Sequence, residues 1–224
     1  MTHQKRLSAP KHYPIDKKDQ TYITTSNDSR SPKISIPTVL FLREVTNYAD
    51  TKKEARKIVK NGQIERNNQT IRSVEAGLAT LDKVHIEENE ETYRVINQKD
   101  NIKFQPVQGD AQVIAKITDK APQQDEYIYR LHNGENIQTS EEFDTESTAI
   151  IEDGEIKEEI PLEEDAQALV IKGKHAGKTA TINKIRRQGR NPDAAELENN
   201  EEEFQTRLEN LVAIKTELQG VEQQ

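Results

Sequence analysis

The sequence predicts an α+β fold that is mainly β and is divided into small modules. Only 32% of the 224 residues are hydrophobic and 4% are aromatic, with a mean hydropathy of −0.94, so the apolar residues are too few for one thick core. Short β-like runs recur at regular spacing through the middle of the chain, as in a small barrel or sandwich. One helical region precedes them.

Charge is unevenly distributed along the chain. Residues 1–72 carry 15 Lys/Arg and 7 Asp/Glu, whereas residues 73–224 carry 17 and 33. Clustered positive charge at one end is typical of a surface that binds polyanions, so we expect a nucleic acid as partner. The sign reverses again in residues 166–192, which hold seven Lys/Arg and no Asp/Glu.

The composition also excludes several kinds of chemistry. The chain has no cysteine, which rules out disulfides, cysteine zinc sites and thiol catalysis. No run approaches 18 apolar residues and no apolar signal core follows the start, so we expect a soluble, cytoplasmic protein without a membrane partner. No carboxylate cluster accompanies His3 and His12, and the segment 173–179 lacks the spacing of a nucleotide-binding loop. Neither a metal, a cofactor nor a small-molecule substrate is expected.

Residues 1–34 are predicted to form an extended basic arm. They contain three prolines and seven Lys/Arg, with almost no periodic apolar pattern. Fully stretched, about 34 residues reach on the order of 100 Å, so such an arm can follow a surface far from its own domain. A disordered tail is the alternative interpretation.

Two short helices are predicted in residues 35–72. The first spans residues 38–48, where apolar residues recur at helical spacing and Ser35 can act as the cap. The second begins with a capping box formed by Thr51 and Glu54 and ends near Gly62, where a left-handed residue is favoured.

The second helix should present positive charge to its surroundings. Its apolar stripe leaves five cations pointing outward: Lys52, Lys53, Arg56, Lys57 and Lys60. Three of them fall on one i, i+4 line, where like charges repel, and this favours an anionic partner over the commoner interpretation of a solvated face. A tight hairpin should follow, because Asn67 and Asn68 tolerate the positive φ of its turn.

The remaining regions are predicted to be β structure. Residues 73–165 hold 24 Asp/Glu and 8 Lys/Arg, so their outer faces should be acidic and solvated. The predicted strands there cover residues 83–86, 92–96, 101–104, 112–117, 126–131 and 149–151. Residues 166–216 contain two β-like runs around a loop at 173–177, an acidic insertion at 193–203, and a closing strand or pair of strands at 204–214. Residues 217–224 form a polar tail.

Several motifs occur together in one order. Residues 1–13 follow the pattern His-x-Lys-Arg-Leu-x-x-Pro with an aromatic residue soon after, and residues 170–182 carry two glycines among lysines. Further matching segments are residues 41–43, 48–49, 62, 75–78, 81–86, 91–95 and 204–214. Together they resemble the archaeal and eukaryotic small-subunit ribosomal protein S-four-e family over nearly the whole chain.

This resemblance implies a domain organisation and a function. The expected parts are an arm (1–34), an alpha-L RNA-binding module of two helices and a hairpin (35–72), a central β domain (73–165), and a KOW-type small β-barrel (166–216). The expected role is that of a non-enzymatic constituent of the small ribosomal subunit, located in the ribosome, which stabilises folded ribosomal RNA beside neighbouring small-subunit proteins. Two features depart from the family pattern: Ala180 replaces a usual glycine, and the pI of 5.3 is low, which we interpret as adaptation to a salt-rich cytoplasm.

The resemblance also implies which side chains contact RNA. In the arm and beside the helices they are Lys5, Arg6, Lys11, His12, Arg43 and Arg66, together with the five cations of the second helix. In the KOW region they are Lys172, Lys174, His175, Lys178, Arg186, Arg187, Arg190 and Arg207.

Two alternative functions remain open at this point. A free RNA-binding regulator would share the modules but would not need the arm. An RNA-modifying enzyme of the pseudouridine synthase type would need a large catalytic domain with a catalytic aspartate, and residues 73–165 are too short and too poor in apolar residues for one.

Overall fold

The computed structural model describes residues 3–18, 20–27, 30, 34–99, 101–107, 111–187, 189, 192–200 and 202–215. By its contacts the chain forms two compact units. Unit 1 takes in residues 1–97 and 101–111, and unit 2 takes in residues 98–100 and 112–224. The fold is mainly β, as predicted, and the described strand pairs are antiparallel.

Most strands are short, and β10 is the longest of those described. In chain order they are His3–Lys5 (β1), Tyr22–Thr24 (β2), Ser35–Pro37 (β3), Ile64–Arg66 (β4), Gln69–Thr70 (β5), Gly77–Ala79 (β6), Lys83–Ile86 (β7), Glu91–Gln98 (β8), Asn101–Val107 (β9), Val113–Gln123 (β10), Glu126–Leu131 (β11), Asn136–Thr139 (β12), Thr148–Glu152 (β13), Glu155–Ile160 (β14), Gln167–Val170 (β15), Thr179–Arg186 (β16), Ala194–Glu198 (β17), Glu203–Arg207 (β18) and Leu211–Ala213 (β19). The helical segments are Thr38–Leu40 (α1), a π-helical turn at Phe41–Val45, Lys52–Lys60 (α2), and 3-10 turns at Arg6–Ser8 and Leu208–Asn210.

The first predicted helix differs from the observed one. Only its first turn is α-helical, and the segment Phe41–Val45 widens into a π-helical turn. The predicted cap at Ser35 is wrong, because Ser35 lies in β3, where it pairs with Ala79. The side chains of Phe41 and Leu42 are fully buried, so tertiary packing outweighs local helix preference here.

The second helix is confirmed together with both of its ends. Thr51 Oγ1 accepts a hydrogen bond from the Glu54 N–H at 3.2 Å, and the Glu54 carboxylate accepts one from the Thr51 N–H at 3.1 Å. At the other end Gly62 has φ +79°, and its N–H and that of the next residue donate to carbonyls of the last helical turn. This Schellman geometry satisfies carbonyls that would otherwise lack donors.

Unit 1 is built around a five-stranded sheet of order β5-β4-β7-β8-β9. The predicted hairpin is present: Asn67 and Asn68 have φ of 52° and 63°, as a type I′ turn requires. The hairpin strand β4 pairs with β7, with Arg66 opposite Val84, so the sheet extends beyond residue 72 into the region predicted as the central domain.

Parts of the segment predicted as an extended arm pack into the core of unit 1. Strand β1 pairs with β2, and Ala9, Tyr13 and Ile23 are at most 5% exposed within the apolar core of that unit. The prediction of an extended chain was therefore wrong for this part. Ala9, Tyr13 and Ile23 are buried in the core although they follow no periodic apolar pattern.

Unit 2 contains two five-stranded sheets, of order β12-β11-β10-β13-β14 and β18-β17-β16-β15-β19. The segment predicted as an acidic insertion is instead part of the second sheet, since β17 lies between β16 and β18. Ala195 and Leu197 alternate with glutamates along β17 and are buried in the core. The predicted closing pair of strands is present as β18 and β19. No helix in the described part of the chain is long and apolar enough to cross a membrane.

Candidate nucleic-acid interface

One face of α2 carries a cluster of exposed cations, which we call the α2 face: Lys53, Arg56, Lys57 and Lys60. Their spacing of i, i+3, i+4 and i+7 places them on one side of the helix. Among the residues that the structure describes, none of these four forms an ion pair. The α2 face therefore presents uncompensated positive charge on a helix that is fixed at both ends.

Lys52, the fifth predicted cation of this helix, is arranged differently. It is half-buried, and its Nζ lies 2.8 Å from the Glu75 carboxylate. Burial raises the pKa of Glu75, but hydrogen bonds from Lys52 and Ser73 outweigh it, so the pKa is lowered overall. Lys52 therefore ties the start of α2 to the segment before β6.

The two arginines that flank the helix also make contacts with the protein itself. Arg43 Nε donates to the Asp50 carbonyl at 3.2 Å, next to the cap of α2. Arg66 Nη1 donates to the Gly77 carbonyl at 2.7 Å. Both arginines are half-buried: Arg43 holds the residue before the cap of α2, and Arg66 links β4 to β6.

The predicted cations near the N terminus fall into two groups. Lys5 and Lys11 are exposed, and His12 is half-buried with its ring edge-on to Tyr13 at 4.9 Å. Arg6 is only 1% exposed, and its guanidinium donates to the two carboxylate oxygens of Glu44 at 3.2 and 2.9 Å. The structure thus places Arg6 in an internal ion pair and not on the RNA-facing surface predicted for it.

In unit 2 the predicted loop is present as the turn between β15 and β16, which spans residues 171–178. Gly173 and Gly177 both have φ of 88°, a conformation that favours glycine. Lys172 and Lys174 are exposed on it. The strand resumes at Thr179, so the replacement of a glycine by Ala180 falls within β16 and not within the turn.

A carboxylate from the β17–β18 connection lies against this loop. Glu202 Oε1 is 2.8 Å from Lys178 Nζ and 3.3 Å from His175 Nδ1. The His175 ring stacks on Phe204, with centroids 4.3 Å apart and planes inclined by 13°. The hydrogen bond from Lys178 is the main cause that lowers the pKa of Glu202. Glu202 was not predicted from the sequence as a member of this site.

The remaining predicted cations of unit 2 lie near carboxylates. Arg186 pairs with Glu196 at 2.5 Å, and Arg207 pairs with Glu209 at 3.2 Å. Arg187 lies 3.1 Å from the Glu146 carboxylate. These exposed pairs are weak and leave the arginines able to exchange partners. Arg190 lies outside the described residues.

Comparison with known proteins identifies similar chains. A family model described as the RS4NT (NUC023) domain matches residues 2–27. A protein named small ribosomal subunit protein eS4 from Methanocaldococcus jannaschii is 32% identical over 219 residues, which cover 91% of this chain and 90% of that protein. The protein of the same name from Natronomonas pharaonis is 29% identical over 223 residues, covering 95% and 94%.

A solved structure shares the fold. The crystal structure of the 30S ribosomal protein S4e from Thermoplasma acidophilum superposes with a TM-score of 0.68 at 19% sequence identity, covering 82% of this chain and 96% of that one. The architecture of strands and short helices described above is therefore a shared one.

Proposed function

The chain belongs to the eS4 family of small ribosomal subunit proteins, and from this premise we propose that it binds folded small-subunit ribosomal RNA mainly through the α2 face. The family is structural and non-enzymatic, so no residue receives a catalytic role. The proposed site of action is the ribosome, beside neighbouring small-subunit proteins.

The α2 face is the observation that carries this proposal. Its four cations repel one another at helical spacing, and no carboxylate in the described part of the chain neutralises them. A phosphate backbone supplies the missing negative charge, and contacts of this kind recognise the shape of a folded RNA more than its sequence. The capping box and the Schellman turn fix both ends of α2, so the helix that carries the four cations is formed before RNA binds.

Further contacts are proposed at two other places. Lys5 and Lys11 are exposed near the N terminus, and Lys172, Lys174, His175 and Lys178 surround the turn between β15 and β16. Arg6 is left out because its charge is internal. We assign residues 35–72 to an alpha-L module and residues 166–216 to a KOW-type barrel. The capped helix with its hairpin and the glycine turn of the β18-β17-β16-β15-β19 sheet support these assignments.

A charge-reversal variant tests the α2 face. Replacing Lys53, Arg56 and Lys57 by glutamate should weaken binding to small-subunit ribosomal RNA by ~10-fold or more at moderate salt, because phosphate contacts are lost and repulsion is gained. Filter binding measures this affinity, and sucrose-gradient sedimentation measures incorporation into small subunits.

The matched control reverses three exposed lysines elsewhere, Lys103, Lys157 and Lys184, with the same change in net charge. Affinity should fall much less in this control. Equal losses in the two variants would show that only net charge matters, and normal incorporation of the α2 variant would overturn the assignment of this face. Recovery of the wild-type protein mainly in a free pool would favour an RNA-binding regulator.

A further inference from the structure

The turn between β15 and β16 holds two nitrogen groups close to one carboxylate oxygen. Lys178 Nζ donates a hydrogen bond to Oε1 of Glu202 at 2.8 Å, and His175 Nδ1 lies 3.3 Å from the same oxygen. The stack on Phe204 at 4.3 Å fixes the plane of the His175 ring, so the direction of its nitrogen is set before any ligand binds. An ammonium and an imidazole nitrogen that lie next to the same oxygen define a small site for an anionic oxygen.

The chemistry of this site suits a phosphodiester. An ammonium and an imidazole N–H are common donors to phosphate oxygens, and the positive-φ glycines of the turn allow a ligand backbone to come close. Lys172 and Lys174 are exposed on the same turn and add attraction for a polyanion. A carboxylate oxygen and a phosphate oxygen are both charged acceptors, so Glu202 occupies the position that a phosphate oxygen would take.

The Glu202 side chain is able to move away from His175 and Lys178. Its side chain is 42% exposed, and it lies between the end of β17 and the start of β18, outside both strands. Ion pairs that are exposed to this degree contribute little to stability. The donors, in contrast, are 24% and 19% exposed and belong to a turn fixed by its glycines. The carboxylate is therefore the movable partner.

We propose that His175 and Lys178 form a phosphate site for the RNA backbone, and that Glu202 is an internal anion that fills this site until RNA displaces it. The inference rests on the proposed RNA-binding function. It specifies the chemical group bound at one of the proposed contacts, a phosphate, and the carboxylate that competes with that phosphate. Each phosphate bound here replaces one carboxylate, so Glu202 lowers the affinity of this site for RNA by the free energy that displacing the carboxylate costs.

Neutralising the internal anion tests the proposal. Glu202→Gln should raise the affinity for small-subunit ribosomal RNA about two- to fivefold over wild type, because RNA no longer has to displace a charged competitor. Glu203→Gln is the matched control: it removes the same charge from an exposed neighbour that forms no ion pair among the described residues. Its effect should be clearly smaller.

A second variant separates a phosphate site from general electrostatics. Adding Lys178→Gln to Glu202→Gln should abolish the gain, since the site then lacks its ammonium. As a measurement on the unmodified protein, the NMR signals of the His175 ring should shift when an RNA oligonucleotide is added, and they should shift back as KCl is raised.

The outcomes distinguish this inference from the proposed function. If wild type binds RNA through the α2 face but Glu202→Gln and Glu203→Gln behave alike, the internal anion is refuted and the function stands. The internal anion is equally refuted if Glu202→Gln lowers only the folding stability and leaves the affinity unchanged. If wild type does not bind ribosomal RNA at all, both proposals fall.

Discussion

At the scale of single residues, two cations act inside the protein. Arg6 forms its paired hydrogen bonds to Glu44 within unit 1. Lys116 is 2% exposed in unit 2, where its Nζ donates to the carbonyls of Leu208 and Leu211 at 2.6 and 2.7 Å. These contacts fasten the 3-10 turn before β19 to β10. Both cations are bonded inside the protein, so the positive charge available to RNA is smaller than the sequence count.

Arg6→Ala should lower the free energy of unfolding by about 3 kcal/mol, because the Glu44 carboxylate then keeps its partly buried charge without the guanidinium. Lys11→Ala removes an exposed cation from the same segment and should change the free energy of unfolding by less than about 0.5 kcal/mol. Urea denaturation measures both variants. Similar losses in the free energy of unfolding for the two variants would show that the Arg6–Glu44 ion pair makes no specific contribution to stability.

Lys116 should make stability depend on pH. Burial lowers the pKa of Lys116 from 10.5 to about 8. Between these two values the unfolded chain holds a proton that the folded protein has lost. The free energy of unfolding should therefore rise with pH, by up to about 1.4 kcal/mol per pH unit. Burial raises the pKa of Tyr13 and Tyr93 from 10 to about 12, and this opposes the trend from about pH 9 upward, where the unfolded tyrosines begin to ionise.

Urea denaturation at pH 8, 9 and 10 tests this effect, with Lys116→Met as the comparison. The variant has no titrating group at this position, so its stability should rise less over the same range. Parallel curves for wild type and variant would contradict the assignment. The difference in slope is the readout, so the result does not depend on the absolute stability of the variant.

At the scale of elements, three local signals in the sequence were reliable. The capping box of α2, its C-terminal glycine and the Asn67–Asn68 turn each depend on neighbouring residues, and all three are present. The strand predicted at residues 83–86 has the same bounds as β7. Elements whose form depends on distant packing were missed, namely the π-helical turn, the folded N-terminal segment and β17.

The same distinction applies to the candidate site. The spacing of the cations predicted a charged side of α2, because residues three and four apart in a helix share a side, but the predicted i, i+4 line includes Lys52, which pairs with Glu75. The pairing of Lys52 with Glu75 joins residues 23 positions apart, and that of Lys178 with Glu202 joins residues 24 positions apart. Strand register and loop packing bring these groups together, and neither can be inferred from neighbouring residues. Glu202 therefore looked like one more solvated acid.

The C-terminal end of α2 provides a test at this scale. A Cβ at Gly62 would lie 3.6 Å from Thr70 Cγ2, which is an ordinary contact, so only the φ of +79° opposes a side chain. Gly62→Ala should lower the free energy of unfolding by about 1 kcal/mol. Gly189→Ala is the control, because Gly189 has neither a positive φ nor a neighbour within 4 Å of the added atom. If both substitutions are neutral in urea denaturation, the Schellman turn contributes little to stability.

At the scale of the whole molecule, the two units differ in charge. Unit 1 contains 18 Lys/Arg and 14 Asp/Glu, whereas unit 2 contains 14 and 26. Excess charge of one sign destabilises a compact state through self-repulsion, so the negative charge of unit 2 works against its own folding. The positive excess of unit 1 includes the α2 face, which is where RNA is proposed to bind. Dissolved salt should therefore affect folding and RNA binding in opposite directions.

Raising KCl from 0.05 to 0.3 M should increase the free energy of unfolding and decrease the affinity for ribosomal RNA. Salt screens the repulsion among carboxylates, and it also weakens binding because counterion release from RNA contributes less. The screening length is already about 10 Å at 0.1 M, so most of the gain in stability should occur below 0.3 M. Urea denaturation and filter binding at matched KCl concentrations measure the two trends. A gain that continues in proportion to salt up to molar KCl would indicate exclusion of the salt from the protein surface, and a flat response below 0.3 M would show that the acidic excess of unit 2 does not oppose folding.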